Sequence, residues 1–281
     1  MPPADSGADQ AQSAPPLVLI GGGTTPNGAA LDSFISLARG RDGGRIVVLT
    51  TASGDPAASA RQWRRDFAGA GCSNTNIPII ATRDQARHPR TAEILASADG
   101  IFLGGGNQVK LVSVLGGTCA ATAIREAHVR GVVVGGTSAG AAALAKTTLA
   151  GNETDGGGQL VEQYIGPGLG LISQPTIIDT HFSQRRRLYR LFVALAEYPS
   201  LMGLGIDEDT ALVLRDNVGQ VVGAGGVTFV DGRGVKYSNA GTRRDGTPLT
   251  LSAVRVGIVG AGHSFNLESR ELSTSTFNIS A

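Results

Sequence analysis

Residues 132–144 read VVVGGTSAGAAAL, which is three β-branched residues, two glycines, a Thr-Ser pair and a run of small helix-forming residues. This order predicts a strand, a sharp turn and a helix. The segment 136–140 fits the G-x-S-x-G pattern of a nucleophile elbow, a strained turn that exposes the hydroxyl of its serine, here Ser138. A glycine-rich turn with a passive serine has the same pattern. A catalytic assignment therefore needs a base and an acid elsewhere in the chain.

Apolar segments alternate with amphipathic segments on the N-terminal side of this turn. Strands are predicted at 16–20, 45–51, 77–80 and 100–103, and helices at 29–39, 56–70, 91–97, 109–115 and 120–130. Beyond the turn, the pattern predicts a strand at 176–182, a helix at 183–197 and antiparallel strands within 220–230 and 249–259. Strands that alternate with helices form right-handed crossovers around a parallel sheet. The predicted fold class is α/β, with a mostly parallel sheet flanked by helices and antiparallel C-terminal strands.

The composition is typical of a soluble globular protein. The 281 residues are 41% hydrophobic and 17% charged, and the formal net charge of +1 predicts no general attraction to nucleic acid or to a membrane surface. No run of about 18 apolar residues could span a bilayer. Cys72 and Cys119 are the only cysteines, which excludes a disulfide framework and a CxxC metal pair. No metal site and no cofactor are expected.

We expect a single α/β domain over residues 17–281, because a chain of this length can bury one large core. Residues 1–16 are rich in Pro, Ala, Ser, Asp and Gln, and they lack the basic start and apolar core of a signal peptide. They predict a disordered leader, although a start after a removed signal peptide is equally compatible. The expected location is therefore cytoplasmic, or secreted with the signal peptide removed.

A glycine-rich loop at Gly104–Gln108 directly follows the predicted strand at 100–103. In open α/β sheets, ligands bind beyond the carboxyl ends of the strands, where this loop and the elbow would both lie. The loop lacks the Lys-Ser/Thr ending of a phosphate loop and the spacing of a dinucleotide site. Beside an elbow it is a candidate oxyanion hole, in which Gly105 and Gly106 would complement the amide of Ala139 at the start of the following helix.

His181 is the best candidate for the base among the four histidines, because only His181 shares with Ser138 a position at the end of a predicted core strand. The orienting acid has three candidates, Asp207, Glu208 and Asp209, and spacing does not choose among them. The order serine, histidine, acid differs from the order serine, acid, histidine of α/β-hydrolases. A standard lipase or esterase is therefore disfavoured.

Four arginines crowd the first half of the helix that is predicted to begin at Ser183, namely Arg185, Arg186, Arg187 and Arg190. Each exposed cation at a helix N-terminus opposes the helix dipole by a few tenths to about 1 kcal/mol. Such a placement suggests a use, such as binding an anionic substrate. The alternative interpretation is a solvated helix face.

Taken together, these residues resemble the peptidase E and cyanophycinase family of serine peptidases. The resemblance extends from about Leu17 to beyond Asn239 and rests on four motifs in the same order: Ile101–Gln108, Gly136–Ala141, Asp179–Phe182 with the arginines that follow, and Gly203–Ala211. It implies a fold similar to the class I glutamine amidotransferases. It also implies that Ser138 is the nucleophile, His181 the base and Glu208 the acid that orients the base. The positions that match the family's substrate pocket are Gln108, Asp179, Thr180, Arg185, Arg187 and Arg190.

The activity that this resemblance implies is hydrolysis of cyanophycin, an arginine-decorated polyaspartate, from the chain end. Such a peptidase, a homodimer without a cofactor, would release β-aspartyl-arginine dipeptides through an acyl-enzyme. Two departures bear on the fit of the substrate: Thr180 stands where the family usually has glutamine, and residues 23–26 replace charged residues. The alternatives are a dipeptidase for small aspartyl or isoaspartyl peptides and a non-catalytic carboxylate-binding domain.

Overall fold

The computed structural model describes residues 15–154, 160–242 and 247–279. Apart from its last two residues, the leader predicted at 1–16 lies outside the described residues. The helices are α1 (Ala29–Leu37), α2 (Pro56–Gly69), α3 (Arg83–Arg87), α4 (Pro89–Ala96), α5 (Gln108–Leu115), α6 (Cys119–Val129), α7 (Ala139–Ala142) and α8 (Leu188–Glu197). The strands are β1 (Leu17–Ile20), β2 (Ile46–Leu49), β3 (Thr75–Asn76), β4 (Gly100–Leu103), β5 (Val133–Thr137), β6 (Thr147–Thr154), β7 (Leu160–Pro167), β8 (Thr176–Thr180), β9 (Met202–Ile206), β10 (Thr210–Arg215), β11 (Val218–Gly223), β12 (Gly226–Asp231), β13 (Tyr237–Ser238), β14 (Leu251–Ser252), β15 (Arg255–Gly260), β16 (Ser264–Asn266) and β17 (Glu271–Ser273).

The largest sheet has nine strands in the order β17-β16-β11-β10-β1-β5-β4-β2-β3. Neighbouring strands pair in parallel from β1 to β3 and antiparallel from β1 to β17. Alternate residues of β1 belong to two separate hydrophobic clusters, with Leu19 in one and Ile20 in the other. The parallel strands are therefore buried on both faces, which explains their uninterrupted apolar sequences. This architecture confirms the predicted α/β fold, including its antiparallel C-terminal strands.

A second sheet contains four strands in the order β15-β12-β9-β8. Strands β8 and β9 are parallel, with Asp179 opposite Gly205, and the other two pairings are antiparallel. The C-terminal strands are thus divided between the two sheets, since β10 and β11 extend the central sheet whereas β12 and β15 extend the second. Because β8 ends at Thr180 and β9 ends at Ile206, the turns that follow them lie side by side.

The strand predicted at 77–80 is wrong in position. Strand β3 contains only Thr75 and Asn76, and Ile77 and Ile80 are buried outside any strand. Pro78 has no N–H to donate to a strand ladder. The apolar run therefore reflects the burial of an irregular segment and not strand pairing.

The helix predicted to begin at Ser183 begins at Leu188 instead, and the strand predicted at 176–182 ends at Thr180. Residues 183–187 form turns in which Arg186 has a φ of 51°. This left-handed conformation interrupts a helix. The arginines at 185–187 therefore precede the helix, and only Arg190 lies within its first turn.

Residues 147–154 and 160–167, to which the sequence pattern assigned no element, pair as the antiparallel strands β6 and β7 of a hairpin. The hairpin contacts α5 and α8. Gln108 at the start of α5 donates a hydrogen bond from Nε2 to the carbonyl of Leu149 at 2.7 Å. This hairpin forms one wall of the candidate site. Within the described ranges, no helix has both the length and the apolar character needed to cross a membrane.

A buried ion pair connects the second sheet to the hairpin that β16 and β17 form. Asp231, at the end of β12, accepts hydrogen bonds from Arg270 and from Arg233, and Arg270 also donates to the carbonyl of Ser200 at 2.7 Å. The side chains of Asp231 and Arg270 are 7% and 5% exposed. Burial by itself raises the pKa of Asp231, but the hydrogen bonds from the two arginines outweigh burial and hold the pKa below its ordinary value.

This pair predicts a specific acid sensitivity. Because the pKa of Asp231 is lower in the folded than in the unfolded protein, its contribution to stability is complete above the unfolded pKa of about 4 and is lost as the pH falls through the folded pKa. Urea unfolding between pH 2 and pH 7 should show a smaller loss of stability on acidification in Asp231→Asn than in the wild type. The control is Asp42→Asn at an exposed carboxylate. If Asp231→Asn and the wild type lost the same unfolding free energy on acidification, Asp231 would not be the source of the acid sensitivity.

Candidate active site

Ser138 lies in a strained turn between β5 and α7. Its φ is 53° and its ψ is −120°, a conformation that non-glycine residues rarely adopt. The turn is held by the amide of Ser138, which donates to the carbonyl of Ile20 at 2.9 Å. A Cβ atom on Gly140 would lie 2.0 Å from the carbonyl oxygen of Leu103, so no larger residue fits there. Ser138 therefore lies on a sharp, strained turn from a strand to a helix, at the place where the sequence pattern predicts a nucleophile elbow.

The hydroxyl of Ser138 begins a chain of two short hydrogen bonds. Ser138 Oγ lies 2.8 Å from Nε2 of His181, and Nδ1 of His181 lies 2.6 Å from Oε1 of Glu208. A carboxylate acceptor at Nδ1 requires the proton to be on Nδ1, which leaves Nε2 free to accept from the hydroxyl. The structure thus brings together the three residues that the resemblance named.

Two backbone turns position the imidazole and the carboxylate. His181 follows β8 with a φ of 52°, and its amide donates to the carbonyl of Gly21 at 2.7 Å. Glu208 lies between β9 and β10, and its amide donates to Oε1 of Gln184 at 3.1 Å. The side chain of His181 is 14% exposed and that of Glu208 is 38% exposed. The imidazole is therefore partly shielded from water.

The neighbouring acids have other partners. Asp207 accepts from the amide of Ser183 at 2.9 Å and from the amide of Gly226 at 3.2 Å, so its two oxygens join the turn at 183–187 to β12. Asp209 accepts from the Thr25 hydroxyl at 3.4 Å. Of the three acids between β9 and β10, the structure places only Glu208 in contact with His181.

The glycine turn after β1 packs against the imidazole of His181 and leaves no room for a side chain, a function that the sequence pattern did not reveal. Gly22 has a φ of 99°, and a Cβ atom there would lie 2.1 Å from Cε1 of His181. A Cβ atom on Gly23 would lie 2.9 Å from Oε2 of Glu208. The three consecutive glycines were visible in the sequence, but His181, which Gly22 faces, lies 159 residues further along the chain.

We therefore expect Gly22→Ala to reduce kcat/KM by roughly 100-fold or more, because the methyl group displaces the imidazole from its hydrogen-bonding position. Gly43→Ala is a matched control, since Gly43 has a similar φ of 88° and a Cβ atom there would have no neighbouring atom within 4 Å. Steady-state kinetics and thermal unfolding of both variants separate displacement of the imidazole from the strain of an alanine at a positive φ. Equal losses of activity in the two variants would contradict the spacing function of Gly22.

The loop between β4 and α5 lies beside the elbow. A Cβ atom on Gly105 would be 3.3 Å from Cβ of Ser138. Among the described residues, no acceptor is found for the amides of Gly105, Gly106 or Ala139, whereas the amide of Asn107 donates to the carbonyl of Ala52 at 2.9 Å. Three amides near the serine are thus available to a ligand.

A cavity of about 280 Å³ opens next to Ser138 and His181. All six residues predicted for the substrate pocket line it, as do the hairpin residues Ala150 and Gly151, which the sequence pattern did not identify. The predicted residues that line the cavity are Gly106, Gln108, Ser138, Ala139, Asp179, Thr180, His181, Arg185, Arg187 and Arg190. Glu208 lies outside this lining, behind the imidazole.

Two of the arginines are held by internal partners. Nη1 of Arg187 donates to Oδ1 of Asp179 and to the carbonyl of Thr180, both at 2.8 Å. Nη1 of Arg190 lies 3.6 Å from the same carboxylate oxygen, and Asp179 is only 3% exposed. Burial lowers the pKa of Arg190, and Asp179 opposes this shift. Arg185 is exposed and has no acceptor among the described residues.

Known proteins resemble this chain in sequence. The sequence profile of peptidase family S51 matches residues 17–222. The chain is 35% identical over 242 residues to a cyanophycinase of Trichormus variabilis, covering 84% of this chain and 80% of that protein. It is 32% identical over 228 residues to a cyanophycinase of Geminocystis herdmanii, covering 80% and 84% of the two chains.

A solved structure shares the fold at lower sequence identity. The crystal structure of a peptidase from an acI-B1 actinobacterium matches with a TM-score of 0.66 and 21% identity, over 90% of this chain and 97% of that one. The family profile covers most of the chain, and the sequence relatives exceed 30% identity over most of their length. The chain therefore belongs to peptidase family S51 and is a serine-type peptidase.

Proposed function

We propose that this peptidase hydrolyses cyanophycin from the chain end and releases β-aspartyl-arginine dipeptides through an acyl-enzyme. The observation that carries the proposal is the hydrogen-bonded chain from Ser138 through His181 to Glu208 at the edge of an arginine-lined cavity. The cyanophycinases among its relatives support the choice of substrate.

In the proposed mechanism, Oγ of Ser138 attacks the scissile carbonyl carbon while Nε2 of His181 takes the hydroxyl proton. The negative charge that forms on the carbonyl oxygen is stabilised by the free amides of Gly105, Gly106 and Ala139. His181 then donates its proton to the leaving amine, and the acyl group remains on Ser138. Water, deprotonated by His181, attacks this ester, and His181 then returns the proton to Oγ of Ser138 as the acyl C–Oγ bond breaks and the product is released. Glu208 stabilises the imidazolium in both steps.

The charges of the cavity suit a substrate that carries both carboxylates and guanidinium groups. Three arginines and one aspartate line the cavity, which leaves an excess of positive charge for substrate carboxylates. Asp179 Oδ2 is buried and has no hydrogen-bond partner among the described residues. Because that oxygen has no accessible surface, the acceptor that we assign to a substrate guanidinium is the side-chain oxygen of Gln108, which lines the cavity while its Nε2 binds the carbonyl of Leu149.

The exposed Arg185 and the Asp179-bound Arg187 should respond differently to substitution. Arg185→Ala is expected to reduce kcat/KM by roughly 10- to 150-fold, the loss of one charge-assisted hydrogen bond, without a change in melting temperature. Arg187→Ala should also destabilise the fold by about 3 kcal/mol, because it leaves buried Asp179 without its closest cation. Arg186→Ala is the control, since Arg186 does not line the cavity. Unchanged kinetics in both cavity variants would exclude the arginines from substrate binding.

Incubation of the wild-type protein with cyanophycin, followed by mass spectrometry of the released products, tests the proposed substrate. We expect β-aspartyl-arginine as the main product. The competing function is a dipeptidase for small aspartyl or isoaspartyl peptides, and Thr180, which stands where the family usually has glutamine, bears on the fit of the polymer. Cleavage of β-aspartyl dipeptides without cleavage of the polymer would establish that alternative. Cleavage of neither would favour a carboxylate-binding domain.

A further inference from the structure

We propose that Gln163 on β7 is a positioning residue that orients the guanidinium of Arg190 toward the substrate. This inference rests on the proposed function, since it concerns a cation of the same cavity. No motif in the sequence identified Gln163. It lies on the second strand of the hairpin that forms one wall of the cavity.

Gln163 is completely buried, and its amide group has three internal partners. Its Nε2 donates to the carbonyl of Gly151 and, at 3.0 Å, to the carbonyl of Tyr164. Its Oε1 accepts from Nε of Arg190 at 2.8 Å. Two backbone carbonyls can be satisfied only by the NH₂ group, so the oxygen of the amide must face Arg190.

This contact fixes the position of the rest of the guanidinium. The group is planar, so a hydrogen bond at Nε determines where the two Nη groups lie. In this orientation Nη1 lies 3.6 Å from Asp179 and Arg190 lines the cavity. Without Gln163, the long side chain would regain rotamer freedom, and substrate binding would have to restrict it again.

The same amide connects the cavity wall to the cation. Gly151 lines the cavity, and its carbonyl is held by Nε2 of Gln163. A glutamate at position 163 would keep an acceptor for Arg190 but would place a carboxylate oxygen against two carbonyl oxygens. A leucine of similar size would remove both kinds of contact. The two substitutions therefore distinguish orientation of Arg190 from support of the hairpin.

The experiment compares Gln163→Leu, Gln163→Glu, Arg190→Ala and the double variant Gln163→Leu/Arg190→Ala, with cyanophycin as the substrate. We expect Gln163→Leu to raise KM roughly tenfold with little change in kcat, the effect of one lost charge-assisted hydrogen bond. In the Arg190→Ala background the same change should have no further effect on KM. Gln163→Glu should retain more of the wild-type KM than Gln163→Leu. Gln174→Leu, which removes a side-chain hydrogen bond to Asn217, is the control.

A second measurement does not depend on the substrate. The Nε–H proton of Arg190, assigned by its absence in Arg190→Ala, should exchange slowly with water in the wild type and in Gln163→Glu, and faster in Gln163→Leu. Equal exchange in the wild type and Gln163→Leu would overturn the inference. So would a KM effect of Gln163→Leu that persists in the Arg190→Ala background, because that effect would be structural. If the wild type fails to cleave cyanophycin, the proposed substrate is wrong, and the exchange rates alone decide the role of Gln163.

Discussion

Ser138→Ala is expected to lower kcat for peptide hydrolysis by about 10⁴-fold or more while leaving the fold intact. The substitution removes the only atom that can form the acyl bond in the proposed mechanism. The hydrogen bonds that maintain the elbow involve the backbone, including that from the amide of Ser138 to the carbonyl of Ile20. An alanine at this position keeps those contacts, so the melting temperature should stay within a few degrees of the wild-type value.

Ser36→Ala is a suitable comparison, because Ser36 lies on α1 and does not line the cavity. Its kcat should equal that of the wild type. The rates are measured by product release from cyanophycin, and folding is checked by circular dichroism. A folded Ser138→Ala variant that retains near-normal turnover would show that the serine is not the nucleophile.

The second large effect is expected at the acid. Glu208→Gln should reduce kcat by up to about 10⁴-fold, because an amide cannot stabilise the imidazolium and can impose the wrong tautomer on His181. The short hydrogen bond of 2.6 Å between Oε1 and Nδ1 is the contact that is changed. The side chains are nearly the same size, so the loss should be in kcat and not in folding.

Asp207→Asn and Asp209→Asn are the matched controls, since each also converts an acid of the same turn to its amide. Asp207→Asn should act mainly on stability, because it replaces one of the two acceptors that hold the amides of Ser183 and Gly226. Both controls should retain much more activity than Glu208→Gln. If either aspartate variant is the least active of the three, the acid has to be reassigned.

The fold was predictable where the determinants are local. The apolar runs of β1, β2 and β4 and the glycines of the elbow are signals within a few residues, and the structure has strands and a sharp turn at those places. The start of α8 was not predictable in this way. The left-handed conformation of Arg186 depends on turns that are tied to Asp207, more than 20 residues further along the chain.

The site shows the same limit. Sequence spacing did not choose among the three candidate acids. Asp207 is bound to the amides of Ser183 and Gly226, so Glu208 is the acid that contacts His181. The arginines were recognisable as a cluster, but their division into free and paired cations depends on Asp179. The function of Gly22 as space for the imidazole depends on a contact between distant segments.

The most direct test of the central claim is covalent labelling of the wild-type protein with a fluorophosphonate, followed by peptide mass mapping and measurement of residual hydrolysis. Ser138, activated by His181, should carry one phosphonyl group, and hydrolysis of cyanophycin should be lost in proportion to the labelling. His181→Ala should react much more slowly. Labelling of another residue, or unchanged hydrolysis in protein that is fully modified at Ser138, would contradict the assignment of Ser138 as the nucleophile.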